Sequence, residues 1–278
     1  MKTGPVQQQN IPEETTSFVG RAPELAQLTG ALRKQRLVTL VGGAGVGKSR
    51  LALHTLHTQG ASPRQEYTNI YWADLWPLRS DDLLAATVAD ALGLSDHTPR
   101  IPLDALCGWV ADRSVLLVLD SCEHLVPCCR HLIGELLTAC PNLTVLTTSR
   151  EPLGAVRETV LPVPPLAPAT EAVTLFRQRA ESVGRPVSEA RDRRLAARLC
   201  ARLDGVPLAL ELAAAQLRHH TLAETADRIR SGLDLPDAPG HPRPCDSPGG
   251  PHGTAPCGQR WAGATSCAGP PNGCCGPG

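Results

Sequence analysis

The segment from Gly42 to Ser49 constrains the fold of this chain more than any other part of it. It reads GGAGVGKS and matches the pattern G-x-x-x-x-G-K-[ST] in full. An apolar run precedes it directly and a helical pattern follows it directly, which is the context that a phosphate-binding loop, or P-loop, requires. An ordinary glycine-rich turn is the alternative, and the lysine at the position that a phosphate needs favours the P-loop.

The residue types of this loop suit the phosphates of a nucleotide and its magnesium ion. Glycines let backbone N–H groups turn inward, Lys48 would reach the β and γ oxygens, and Ser49 would offer a hydroxyl to Mg²⁺. The sequence therefore predicts that the nucleotide contacts nine residues here: Gly42, Gly43, Ala44, Gly45, Val46, Gly47, Lys48, Ser49 and Arg50.

A second motif is the run VLLVLD, which ends in Asp120. A buried strand that ends in a carboxylate next to a P-loop predicts that Asp120 and Ser49 hold the magnesium. The residue after Asp120 is Ser121 rather than a second acid, so Glu123 is the nearest carboxylate that could activate water. Glu123 could equally be an acid in the first turn of a helix, stabilised by the helix dipole.

A third motif is TTSR, which follows the apolar run LTVL and ends in Arg150. An arginine at the end of a core strand beside a P-loop could contact the γ-phosphate, because a guanidinium binds phosphate in a bidentate manner. A surface arginine in a turn of serine and threonine residues is the alternative interpretation.

Strand patterns and helix patterns alternate along the first part of the chain, which predicts an α/β fold with helices on both faces of a parallel sheet. We expect about five strands, at residues 37–41, 70–75, 115–119, 143–147 and 159–163. Helices are predicted at residues 23–35, 48–57, 81–92 with Asp81 as the cap, and 125–139. After the PPLAP linker only helices are predicted, at residues 170–183, 190–203 and 207–217, followed by a capping-box helix from Thr221.

These patterns divide the chain into four parts. We predict a flexible N-terminus at residues 1–14, a P-loop NTPase domain at 15–165, a helical lid subdomain at 166–232 and a disordered tail at 233–278. The last 43 residues contain ten Pro, ten Gly and five Cys but no Leu, Ile, Val, Phe, Tyr or Met, so they cannot bury a core. Such a composition is typical of a shifted reading frame in a GC-rich gene or of a genuine low-complexity tail.

The overall composition excludes several classes of protein. The chain has 27 basic and 27 acidic side chains, so it lacks the positive charge that direct nucleic-acid binding normally needs. Its polar N-terminus does not resemble a secretory signal, and its apolar runs are too short to cross a membrane. We therefore expect a cytoplasmic protein whose eleven cysteines are reduced thiols.

Taken together, the motifs resemble the NB-ARC-like nucleotide-binding domain of STAND-class P-loop NTPases, as found in actinobacterial AfsR/SARP and large LuxR-type transcriptional regulators. The resemblance covers about residues 15–232. It is based on the SFVGR segment, the P-loop, LLVLDSCEHL, TTSREPLG, LPVPPL and LDGVPLALELA, in that order.

The resemblance implies further roles for residues on both sides of the P-loop. Val19, Gly20 and Arg21 would lie against the adenine and ribose of ATP or ADP, and Pro207 would close over the base. Pro207 is also what the first position of a helix favours, and both interpretations can hold together. Self-association through the NTPase domain is a further expectation.

The chain departs from the family pattern in three ways. Ala22 stands where an acid often follows the Gly-Arg pair, Ser121 stands where Asn or Asp is usual, and no winged-helix subdomain is recognisable. The expected function is an ATP/ADP switch module from a transcriptional regulator, with slow ATP hydrolysis at most. The alternatives are an AAA-like ATPase with genuine turnover and a non-functional truncated product.

Overall fold

The computed structural model describes residues 7–60, 67, 69–94, 103–111 and 113–231. The strands in this part of the chain are β1 (Gln7–Gln9), β2 (Leu37–Val41), β3 (Asn69–Asp74), β4 (Val115–Asp120), β5 (Leu143–Ser149) and β6 (Thr159–Pro162). These six strands form one parallel sheet in the order β1-β3-β4-β5-β2-β6.

Five described helices accompany the sheet and four follow it. The first group is α1 (Ala22–Leu32), α2 (Lys48–Gly60), α3 (Leu84–Ala91), α4 (Leu103–Val110) and α5 (Val126–Ala139). The second group is α6 (Glu171–Ser182), α7 (Ala190–Arg202), α8 (Pro207–Gln216) and α9 (Leu222–Arg230). Short 3-10 turns at Asp81–Leu83 and Cys122–His124 precede α3 and α5.

The α/β class is confirmed, and burial of the strands explains it. Every residue of β4 and β5 is buried, as continuous apolar strands are when helices cover both faces. Successive residues of β3 pack into different clusters, because side chains alternate across a sheet. Tyr71 belongs to one apolar cluster and Trp72 to another on the opposite face.

The sheet has one strand more than the five or so predicted, and this strand, β1, lies at Gln7–Gln9. β1 pairs with β3 at the sheet edge, with Gln7 opposite Asn69. A short edge strand needs only backbone donors and acceptors, so its glutamines give no periodic signal. The predicted cap at Asp81 is also wrong, because Ser80 accepts from the Asp82 N–H and Asp81 lies inside the turn.

The helices after residue 165 have their own apolar core. Phe176, Leu199 and Leu210 are buried in it, and the capping box at Thr221 and Glu224 is confirmed. The sheet and these helices belong to one compact unit.

Within the described residues no helix is long and apolar enough to cross a membrane. The predicted tail at residues 233–278 lies outside the described residues.

Candidate functional site

The P-loop connects β2 to α2 at the carboxyl edge of the sheet. Gly45 and Gly47 have φ angles of 73° and 91°, in the left-handed region that glycine adopts without strain. The first N–H groups of α2, from Lys48 onward, have no partner within their own helix and carry its positive end. Inward-turning glycine backbone and a helix N-terminus together fit a nucleotide phosphate.

Lys48 lies over this loop. Its side chain is buried, and Nζ donates to the carbonyl oxygens of Gly42 at 2.9 Å and Gly43 at 3.0 Å. Burial lowers the pKa of Lys48, the charge of Glu123 raises it and the charge of Arg150 lowers it. The ammonium therefore lies on the loop, where the charges of Glu123 and Arg150, the two residues predicted for γ-phosphate chemistry, act on it in opposite directions.

Asp120 and Ser49, the two predicted magnesium residues, are in direct contact. Ser49 Oγ donates to Asp120 Oδ1 at 2.7 Å, and the hydroxyl of Thr148 donates to the same oxygen. Burial raises the pKa of Asp120, whereas these two hydrogen bonds lower it. Thr148 Oγ1 in turn accepts from the Ser121 N–H at 2.9 Å, so β5 fixes the end of β4. A hydroxyl and a carboxylate oxygen side by side are the ligand types that Mg²⁺ prefers.

Thr148→Val should lower the free energy of unfolding by about 1–2 kcal/mol at neutral pH, because it removes a donor from a buried carboxylate. Burial already raises the pKa of Asp120, and loss of this hydrogen bond raises it further. A raised pKa means that the folded state holds the proton more tightly than the unfolded state. This tighter proton binding stabilises the folded state fully at low pH, and the stabilisation is lost as the pH rises from the ordinary value of 3.8 through the pKa of folded Asp120. The loss of stability caused by Thr148→Val is therefore smaller at low pH than at neutral pH. Urea unfolding at several pH values measures this.

Thr147→Val is the matched control, because the Thr147 hydroxyl donates to Thr39 Oγ1 at 2.8 Å and not to a carboxylate. Its loss of stability should be independent of pH. The same pH profile for both variants would contradict the role given to Thr148.

Glu123 and Arg150, predicted separately, form one ion pair. Arg150 Nε donates to Glu123 Oε1 at 3.2 Å, with the arginine side chain 51% exposed and that of the glutamate 18% exposed. The pair joins the residue after β5 to the turn after β4. Glu123 does lie at the start of a short helical turn, so both interpretations of this residue stay open.

Arg21 has contacts that the resemblance did not imply. Arg21 is only 3% exposed. Its Nη2 donates to the Val46 carbonyl oxygen and, at 2.9 Å, to the Pro164 carbonyl oxygen. Its backbone N–H donates to Glu171 Oε1 at 2.9 Å. A Cβ on Gly20 would lie 2.3 Å from that carboxylate oxygen, so this glycine permits close packing on α6. The guanidinium thus ties the P-loop to the linker before α6.

Arg50 is bonded to the N-terminal segment. Its guanidinium donates to Thr16 Oγ1 at 2.7 Å and to the carbonyl oxygens of Thr16 at 3.0 Å and Ser17 at 3.2 Å. Arg179 of α6 donates to the same Ser17 carbonyl at 2.8 Å. The segment before α1 therefore links α2 with the helical subdomain, and Val19 packs partly against the apolar core of that subdomain.

Pro207 lies beside the P-loop and also begins α8. The next residue, Leu208, donates its N–H to the Gly45 carbonyl at 3.2 Å. A Cβ on Gly45 would lie 2.8 Å from the Leu208 Cβ, and one on Gly47 would lie 3.9 Å from Pro207 Cγ. The start of α8 therefore rests on the loop, and Pro207 occupies the first position of this helix.

Asp74 is a site residue that the sequence reasoning missed. It ends β3 in register with Asp120, and both line a cavity of about 460 Å³ together with Ser49 and Arg50. The signal was available, since Asp74 follows a buried strand as Asp120 does. Thr148 gave no such signal, because its role depends on how β4 and β5 pair.

Comparison with known proteins finds one family model that covers most of the chain. The family model described as Novel STAND NTPase 1 matches residues 9–226. A Mycobacterium tuberculosis protein named as an HTH-type transcriptional regulator is 44% identical over 204 residues, which are 73% of this chain and 22% of that protein. An uncharacterized protein of the same organism is 44% identical over 203 residues, covering 72% of this chain and 51% of its own length. The chain thus spans about half or less of these relatives.

Two solved structures share the fold. A Walker-type ATPase of Pyrococcus abyssi matches with a TM-score of 0.60 at 17% identity, over 78% of this chain and 73% of that chain. A Signal Transduction ATPase with Numerous Domains from Pyrococcus horikoshii, which has a tetratricopeptide repeat sensor, matches with a TM-score of 0.54 at 19% identity. That match covers 83% of this chain and 35% of the other. At such identities the likeness concerns the fold.

Proposed function

Because the chain belongs to the novel STAND NTPase 1 family, we propose that it is a module that binds ATP and ADP and switches between the two states. The observation that carries this proposal is the P-loop, with Lys48 Nζ within 3.0 Å of its carbonyls and Ser49 Oγ 2.7 Å from Asp120. The phosphate cradle, the Lys48 cation and the two proposed magnesium ligands lie together at one edge of the sheet.

Each part of a magnesium nucleotide has residues suited to it. The backbone of residues 42–47 and Lys48 would hold the phosphates, and Ser49 and Asp120 would hold Mg²⁺, which neutralises charge on the β and γ oxygens. Val19, Gly20 and Pro207 would line the side of the base. For Arg21 and Arg50 we propose indirect roles, because their guanidinium groups bind the backbone around the P-loop.

We propose that hydrolysis is slow and that the nucleotide mainly controls conformation. Ser121 stands in the place of a second acid, and its N–H is bonded to Thr148. The contact between Leu208 and Gly45 offers a path from the P-loop to the helical subdomain. By its NB-ARC-like motifs, and by the name of its mycobacterial relative, the module would belong to a transcriptional regulator of the AfsR/SARP or large LuxR type. Self-association stays a prediction.

The experiment is a titration of the full chain with ATP, with and without Mg²⁺. Magnesium should tighten binding by about tenfold, since it stabilises charge on the phosphate oxygens. Ser49→Ala should lose most of this gain while keeping affinity in EDTA. Ser182→Ala is the control, because the Ser182 hydroxyl donates to the Arg179 carbonyl on α6. A Ser49→Ala variant with the full magnesium effect would contradict the assignment.

A further inference from the structure

The ion pair between Glu123 and Arg150 holds Glu123 in a conformation that cannot act on water. Oε1 accepts from Arg150 Nε at 3.2 Å. Oε2 is buried and has no hydrogen-bond partner among the described residues. A carboxylate that activates water needs an oxygen within hydrogen-bond reach of that water. Here one oxygen is engaged and the other is hidden from solvent.

The same pair lies beside the P-loop, because Ser149, the residue before Arg150, is in register with Val41 and its carbonyl accepts from the Gly42 N–H at 3.4 Å. The charges of both Glu123 and Arg150 act on Lys48, in opposite directions. The Arg150 side chain is 51% exposed, so its guanidinium can turn toward an anion without leaving a buried environment. A phosphate is a better partner for a guanidinium than one carboxylate oxygen, since it offers bidentate, doubly charged contact.

We propose that the Glu123–Arg150 ion pair is a latch, which the γ-phosphate of ATP opens by competing with Glu123 for the guanidinium of Arg150. The inference rests on the proposed function. While the latch is closed, Arg150 is a positioning residue that keeps the Glu123 carboxylate from water. ADP offers no anion at this place, so it leaves the latch closed. ATP must break the ion pair before Arg150 can contact its γ-phosphate. The affinity for ATP is therefore lowered by the free energy of that ion pair.

The competition predicts a specific pattern of affinities in a double-mutant cycle. The full chain and its Glu123→Gln, Arg150→Ala and doubly substituted variants are titrated calorimetrically with a non-hydrolysable ATP analogue and with ADP. Glu123→Gln should tighten the analogue by about two- to fivefold, as expected for a partly exposed ion pair, and leave ADP unchanged. In the Arg150→Ala background, Glu123→Gln should change neither the affinity for the analogue nor the affinity for ADP. Glu151→Gln removes the same charge from an exposed neighbour of Arg150 and should have no effect.

Two results would overturn the latch alone. One is equal tightening of the analogue and of ADP by Glu123→Gln, and the other is the same gain in the Arg150→Ala background. Either would mean that Glu123 acts only through its negative charge. A parent chain whose nucleotide binding is absent or independent of Lys48 would overturn the proposed function as well, so the two failures are distinguishable.

Discussion

Gly205→Ala is expected to lower the free energy of unfolding by about 2–4 kcal/mol. Gly205 has a φ of 66°, where a side chain is strained. A Cβ there would also lie 2.0 Å from the Leu166 carbonyl oxygen. That oxygen belongs to the backbone, and Leu166 N–H donates to the Gly205 carbonyl at 3.0 Å. The two segments therefore cannot separate without loss of this hydrogen bond.

Gly134→Ala provides the control for this prediction. Gly134 lies within α5, and a Cβ there would meet nothing within 4 Å. Alanine should stabilise this helix by about 0.5–1 kcal/mol, because glycine loses more backbone entropy on folding. Urea unfolding of the three proteins measures both changes. If Gly205→Ala were as stable as the parent, the close packing of the linker against the start of α8 would be wrong.

The P-loop and the core strands could be predicted from the sequence because their signals are local. A glycine pattern between an apolar strand and a helix specifies its own geometry, and β4 could be predicted because a strand covered on both faces is continuously apolar. β1 could not, since an edge strand of three glutamines is held by backbone pairing with β3. The helix Leu103–Val110 was also missed.

The fine structure of the site depends on contacts between distant segments, which one sequence does not reveal. The sequence placed Glu123 and Arg150 near the nucleotide but could not show that they bind each other across 27 residues of chain. Arg50 is adjacent to the P-loop in sequence, yet its guanidinium binds Thr16. The motif predicts the residue types of the cradle, but side-chain partners in a packed protein follow from tertiary structure.

Lys48→Ala is expected to weaken both ATP and ADP by about ten- to a hundredfold, because it removes a charge-assisted phosphate contact worth about 1.5–3 kcal/mol. Both nucleotides should bind more weakly, since both have the β-phosphate that Lys48 would reach. The fold should tolerate the change, because Nζ bonds only the two loop carbonyls of Gly42 and Gly43 among the described residues. Lys34→Ala, at an exposed position after α1, is the control with the same change of charge.

Calorimetric titration of ADP into the parent chain, Lys48→Ala and Lys34→Ala tests most directly whether this P-loop binds a nucleotide. We expect one ADP per parent chain, parental affinity for Lys34→Ala, and a loss of about ten- to a hundredfold for Lys48→Ala. Equal affinities in the parent and Lys48→Ala, or no binding by the folded parent, would contradict the account.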